Sequence, residues 1–200
     1  MSQSSTLPTY VAHGGEQVFP QPYVADRVAY YGFILPADPD AIQANVCDRL
    51  FNTPSGGALR FRPVGGWVLL TFDRLARLAS TDPTARDYGW FEEREAAIWV
   101  LVEEANSGRF YWAIPYIFVD NGYAVATGRE IYGFPKAHGW IDVPASSEFA
   151  NYCGAETLVL PEHRPYTQGE RRHVLAARLT DPGDGGIDTT RTSVMDMARA

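Results

Sequence analysis

One lysine stands among the 17 lysines and arginines of this chain: Lys136, at the end of the segment Gly128-Arg129-Glu130-Ile131-Tyr132-Gly133-Phe134-Pro135-Lys136. Arginine stays protonated in proteins, whereas lysine can lose its proton and attack a carbonyl carbon. In a chain that otherwise uses arginine, a lone lysine marks a position where arginine cannot serve. Pro135 fixes its own φ and restricts the residue before it. Tyr132, Phe134 and Trp140 are expected to surround Lys136 with apolar surface. Burial disfavours an ammonium ion, so the expectation is a lowered lysine pKa and a neutral amine ready to form an imine with a ketone. The competing reading is a tight turn whose aromatics belong to the core and whose lysine snorkels to solvent.

Other side chains offer less. Glu92, Glu93 and Glu95 cluster just ahead of an apolar run, either as a proton-transfer group or as a solvated strand start. His13, His138, His163 and His173 show no metal-ligand spacing, so no metal is expected. Hydrolase-elbow and phosphate-cradling motifs are absent. Cys47 and Cys153 lie in no metal or redox spacing and read as core residues, with a disulfide as the lesser alternative. A net charge of −7 argues against a nucleic-acid or anionic-membrane partner. The N-terminus lacks a signal-peptide pattern and no apolar run could span a bilayer, which gives the expectation of a cytoplasmic protein.

The elements that must position the lysine follow from periodicity. With 200 residues, 46% of them hydrophobic, one domain is expected. Residues 1–26 read as a loosely ordered arm, 27–179 as the domain, and 180–200 as a loop and short segment cut from a longer parent. Residues 28–35, 66–72, 96–103, 110–119, 123–127 and 139–143 read as strands, with shorter ones at 157–160 and 173–179. Asp38 and Pro39 open a helix with Ile42, Val46 and Leu50 on one stripe, and residues 73–79 suggest a second, short helix. Asn106-Ser107-Gly108 and Asp120-Asn121-Gly122 are hairpin signals. The fold class is β-rich α+β. Its curved, largely antiparallel sheet is expected to close into a barrel- or cone-like core with a few packing helices.

Ala124-Val125-Ala126-Thr127-Gly128-Arg129-Glu130 followed by Pro135-Lys136 resembles the signature of the acetoacetate decarboxylase family. The resemblance is strongest over residues 90–143. It implies that Lys136 forms the Schiff base and that a glutamate, best matched by Glu93, handles protons. Arg129 and Phe134 are the expected substrate-binding residues. The family's arginine after the first strand is missing from Ile34-Leu35-Pro36-Ala37. Its further glutamate is read as replaced by apolar residues in Gly66-Trp67-Val68-Leu69-Leu70, and its second lysine as Ala137. Activation then falls to burial, Arg129 or a charged His138.

The resemblance implies a homo-oligomeric lyase that releases carbon dioxide from a small 3-oxo acid. No cofactor is expected, because the lysine is the electron sink. An aldolase-dehydratase acting on a 2-oxo acid such as pyruvate, or a non-catalytic barrel for a small ligand, are the alternatives.

Overall fold

The computed structural model describes residues 20–145, 152–162 and 164–178. The first 19 residues of the expected arm and the segment 180–200 therefore lie outside the described residues. In chain order the elements begin with β1 (Tyr23–Pro36) and α1 (Pro39–Ile42), which runs on as π-helical turns (Gln43–Asn52). Then come β2 (Phe61–Pro63), β3 (Trp67–Ser80), β4 (Phe91–Glu104), β5 (Arg109–Val119) and α2 (Gly122–Glu130). The last are β6 (Lys136–His138), β7 (Trp140–Asp142), β8 (Tyr152–Val159) and β9 (Glu170–Arg178).

Two sheets result. The larger has the order β1-β3-β4-β5-β6, with β2 alongside β4, and the smaller is β7-β8-β9. All pairings are antiparallel except β5 with β6, where α2 supplies the crossover that a parallel pair needs. Neither sheet is closed among the described residues, because β1 and β6 remain unpaired with each other. The expected barrel is instead an open sheet with a small second sheet against it. Leu70, Phe72 and Ala96 of the larger sheet pack with Ile141, Cys153 and Ala155 of the smaller. Cys47 and Cys153 are free and buried in separate clusters, as small core residues.

Asp38 caps α1 by accepting from the Asp40 N–H at 2.9 Å, with Pro39 in the first turn, as the sequence predicts. Ile42 and Val46 are buried, but the wider π-helical turns carry Leu50 off the stripe, and it is exposed. The turn at 106–108 joins β4 to β5, and the Glu104 carboxylate accepts from the N–H groups of Asn106 and Ser107.

Three expectations fail for local reasons. Residues 73–79 are strand, because β3 pairs with β1 from Trp67 to Ser80 and the ladder overrides local helical spacing. Residues 123–127 are helix, because the Asn121 side chain accepts from the Tyr123 N–H at 2.9 Å and so opens α2. The 120–122 hairpin signal is thus a helix cap. The strand expected at 139–143 is present in shortened form as β7, with Gly139 separating it from β6; a Cβ on Gly139 would stand 2.8 Å from the Glu156 carbonyl oxygen.

Asn121 does two jobs, since its amide also donates to the Glu92 carbonyl at 2.8 Å. Asn121→Ala should therefore destabilise the fold by about 1–2 kcal/mol. The check is the denaturant midpoint at unchanged m-value.

Candidate active site

Strand periodicity assembles the site. Successive side chains alternate faces, so Glu93, Glu95 and Ala97 share one face of β4 while Glu92 and Arg94 take the other. Register carries that face across the sheet: Asp73 lies opposite Glu95, Leu75 opposite Glu93, and Tyr30 opposite Asp73. On the other side Val119 lies opposite Glu95, and Lys136 of β6 opposite Ile117 of β5. The Lys136 chain reaches back over β5 to β4. Its Nζ lies 2.5 Å from Glu93 Oε1 and 3.1 Å from Glu95 Oε2. Lys136, Glu93 and Asp73 are all buried, at 9%, 3% and 8% exposure.

The Gly128–Lys136 segment is shaped for this reach. A Cβ on Gly128 would stand 2.5 Å from Lys136 Cδ and 2.9 Å from Cε, so only glycine leaves room for the lysine stem. The Phe134 N–H returns to the Gly128 carbonyl at 2.9 Å. Gly133 holds φ at +72°, the left-handed region that glycine enters freely. Pro135 sits at the apex of a tight turn in which the Lys136 N–H donates to the Phe134 carbonyl at 2.8 Å. The Arg129 guanidinium donates to the Lys136 carbonyl oxygen at 3.1 Å. On β4, the Arg94 N–H donates to Asp120 at 2.8 Å, which with Asn121 ties the start of α2 to the strand that bears Glu93.

Electrostatics departs from the expected neutral amine. Burial pulls the Lys136 pKa down, but the charges of Glu95 and Glu93 and their hydrogen bonds outweigh it, and the net shift is upward. The carboxyls carry the complementary shifts. Burial, then the charges of Glu95 and Glu93, push Asp73 up to about 8. Burial pushes Glu95 up to about 7, with Lys136 opposing and Glu93 adding to the rise. Lys136 is thus an ammonium, and Asp73 and Glu95 hold protons near neutral pH. The two forces are burial and opposite charge, and in this geometry charge wins.

The expected site residues distribute unevenly. Glu93 and Lys136 meet. Glu95, from the same acidic cluster, joins Glu93 at the lysine. Glu92 faces away and accepts from Arg74 Nε at 2.6 Å. Phe134 lines a cavity with Lys136. Arg129 sits outside that lining and holds backbone, so its geometry is that of a positioning residue. Tyr132 flanks the lysine as expected, but Trp140 does not: it lies on β7 with the Arg171 guanidinium 4.3 Å from its ring. Asp73 was missed. The family's further glutamate is read as replaced by apolar residues at 66–70; Asp73, three residues further along β3, was hidden by the helical reading of 73–79. Extending the 66–72 strand would have put Asp73 on the same face as Thr71.

Lys136 borders two hollows. One of about 110 Å³ is walled by Tyr23, Leu78, Phe91, Thr127, Tyr132 and Phe134. Burial, then the charge of Tyr132, pushes the Tyr23 phenol up to about 12, so it stays protonated. The other, about 300 Å³ and more open, is lined by Val28, Tyr30, Asp73, Leu75 and the two glutamates. A larger cleft of about 430 Å³ lies apart from Lys136, where Arg94 meets Asp120 and Arg171 meets Glu156. Among the described residues no group of His, Cys, Asp and Glu side chains forms a metal site.

No protein-family model matches the chain, and no curated protein sequence does. Among the solved structures that share its fold are two acetoacetate decarboxylases. An acetoacetate decarboxylase from Legionella pneumophila aligns with a TM-score of 0.52 at 18% identity, over 77% of this chain and 50% of that one. A second acetoacetate decarboxylase structure aligns with a TM-score of 0.51 at 17% identity, over 71% of this chain and 48% of that one. The chain thus spans about half the length of each. The described residues have the acetoacetate decarboxylase-like fold.

Two outcomes follow from the geometry. Gly128→Ala should displace the Lys136 stem and cut its reaction with a small ketone by roughly tenfold or more, with the circular dichroism spectrum retained. The second concerns pH. Raised folded-state values, from 3.8 to about 8 for Asp73 and from 4.5 to about 7 for Glu95, mean that both groups take up protons on folding. Their contribution to stability is full below the unfolded values and is lost as pH rises through the folded ones. Asp73→Asn should therefore flatten the decline in melting temperature between roughly pH 5 and pH 8.

Proposed function

We propose that the protein is a Schiff-base-forming lyase in which Lys136 is the nucleophile and the surrounding carboxyls move protons. The observation that carries this reading is the contact of a single buried lysine amine with Glu93 at 2.5 Å and Glu95 at 3.1 Å. Lys136 first gives a proton to a neighbouring carboxylate. The free amine then attacks the substrate carbonyl carbon, forming a C–N bond and a carbinolamine. A carboxyl protonates the hydroxyl, water leaves, and a protonated imine remains.

That cation withdraws electrons from the adjacent carbon. A bond there breaks and its electron pair forms an enamine. In a 3-oxo acid the bond is to the carboxyl carbon, and carbon dioxide leaves. In an aldol cleavage it is a carbon–carbon bond, whose aldehyde product forms as a hydroxyl proton passes to a carboxylate. Protonation of the enamine carbon and attack of water on the imine restore Lys136 and release product. Decarboxylation is the reaction that the resemblance implies. The proximity of Glu93, Glu95 and Asp73 favours the aldol or dehydration branch, which needs more proton transfers than decarboxylation does.

Borohydride reduction in the presence of a small ketone should add one ketone-derived alkyl group, mapped to the peptide containing Lys136. An unlabelled Lys136 with every aldehyde and ketone offered would overturn the reading and leave a ligand-binding role. Carbon dioxide release from a 3-oxo acid separates the two branches.

A further inference from the structure

We infer that the two hollows beside Lys136 divide the substrate between them: the walled one takes the arm of the carbonyl compound that does not react, and Leu78 limits the length of that arm. This rests on the imine reading above and gives the shape of the substrate at the same site. Lys136 and Glu93 line both hollows, so the lysine and its nearer carboxyl form the partition. An imine carbon is planar and carries two arms that point apart. With the lysine at the partition, one arm enters each hollow.

The walls decide which arm goes where. Leu78, Phe91, Ala124 and Phe134 give the walled hollow an apolar surface. Each methylene of an alkyl arm taken out of water there favours binding by about fourfold. Asp73 and Glu95 line the open hollow together with Glu93. An α-carbon lodged on that side has proton-transfer groups beside it. The bond that breaks is therefore on the open side. The arm held there carries whatever group the reaction removes, in either branch.

Leu78 owes its place to a register shift. Leu75 stands opposite Glu93 and Leu78 opposite Phe91, so β3 uses three residues where β4 uses two. In unbroken register Arg77 would stand opposite Phe91. The bulge turns Leu78 onto the face of Leu75 in its stead. Leu75 then borders the open hollow and Leu78 the walled one, where it packs with Phe91. An arginine there would bring a charged head into an apolar space. The walled hollow, at about 110 Å³, has room for roughly three or four alkyl carbons, each taking about the volume of a water.

Unbranched methyl ketones from 2-butanone to 2-octanone test this. Each is incubated at one low concentration with the full chain in heavy water and quenched with borohydride. The Lys136 mass adduct and the position of deuterium in the recovered ketone are both compared with those given by free Nα-acetyllysine. The normalised adduct should rise by up to about fourfold per methylene as far as 2-pentanone or 2-hexanone and fall beyond. Deuterium should enter the C1 methyl, on the open side, several-fold faster than C3. Leu78→Ala should move the optimum to a longer ketone and Leu78→Phe to a shorter one. A length dependence without an optimum, or an optimum that neither folded variant moves, overturns the role of Leu78. Equal or faster exchange at C3, or an adduct with no exchange at all, overturns the division of the arms while leaving the imine standing. No adduct from any ketone overturns the imine reading and this inference with it.

Discussion

The structure turns on one buried cation held by carboxyls. Lys136 meets Glu93 and Glu95 directly, and Asp73 stands opposite Glu95 on the neighbouring strand. Removing these charges from water is expensive, and a buried ion pair rarely stabilises a fold on balance. One ammonium cannot neutralise three carboxylates either. The excess is relieved by protons, which is why Asp73 and Glu95 are raised toward neutral pH. Such a cluster is poor structural material and suitable chemical material, since perturbed groups of this kind gather where protons must move.

Much of the surrounding fold answers to that cluster. The parallel strand β6 brings Lys136 alongside Ile117, two positions from the residue opposite Glu95. The α2 crossover makes the parallel pairing possible, and its Gly128 yields the space through which the lysine stem passes. The Gly-Arg-Glu and Pro-Lys pieces of the motif therefore have separate physical tasks. Glycine clears the stem, arginine fixes the Lys136 carbonyl, and proline makes the turn that launches β6. In the mechanism we propose, activation differs from that of a lysine in an apolar pocket: the amine is freed by proton transfer to Glu95, which lies within hydrogen-bond reach and whose proton affinity burial raises.

The site was more legible in the sequence than the fold around it. A lone lysine after a restricting proline pointed to Lys136 because residue chemistry is local. Glu93 came from the family resemblance, because the strand was expected to start only at residue 96; β4 begins at Phe91, and alternation along it puts Glu93 and Glu95 on one face without choosing between them. Asp73 was hidden because its strand is fixed by thirteen β1–β3 pairings distant in sequence, and no local signal announces them. The α2 segment misled for the opposite reason. Its apolar residues suit a strand, and only the Asn121 cap and the need for a crossover make it helix. Closure of the sheet was an inference from strand number, and pairing between remote edges leaves no mark on sequence.

Because Lys136 is the only lysine, a protein labelled with ε-15N lysine shows its side chain as a single nitrogen resonance. Its titration, and its response to a small ketone, test the central claim most directly. The account predicts an ammonium signal at neutral pH that titrates above the ordinary lysine value of 10.5. Added ketone should replace it with an imine signal, and Glu95→Gln should lower the titration. A free amine at neutral pH, or an ammonium signal that no aldehyde or ketone alters, would contradict it.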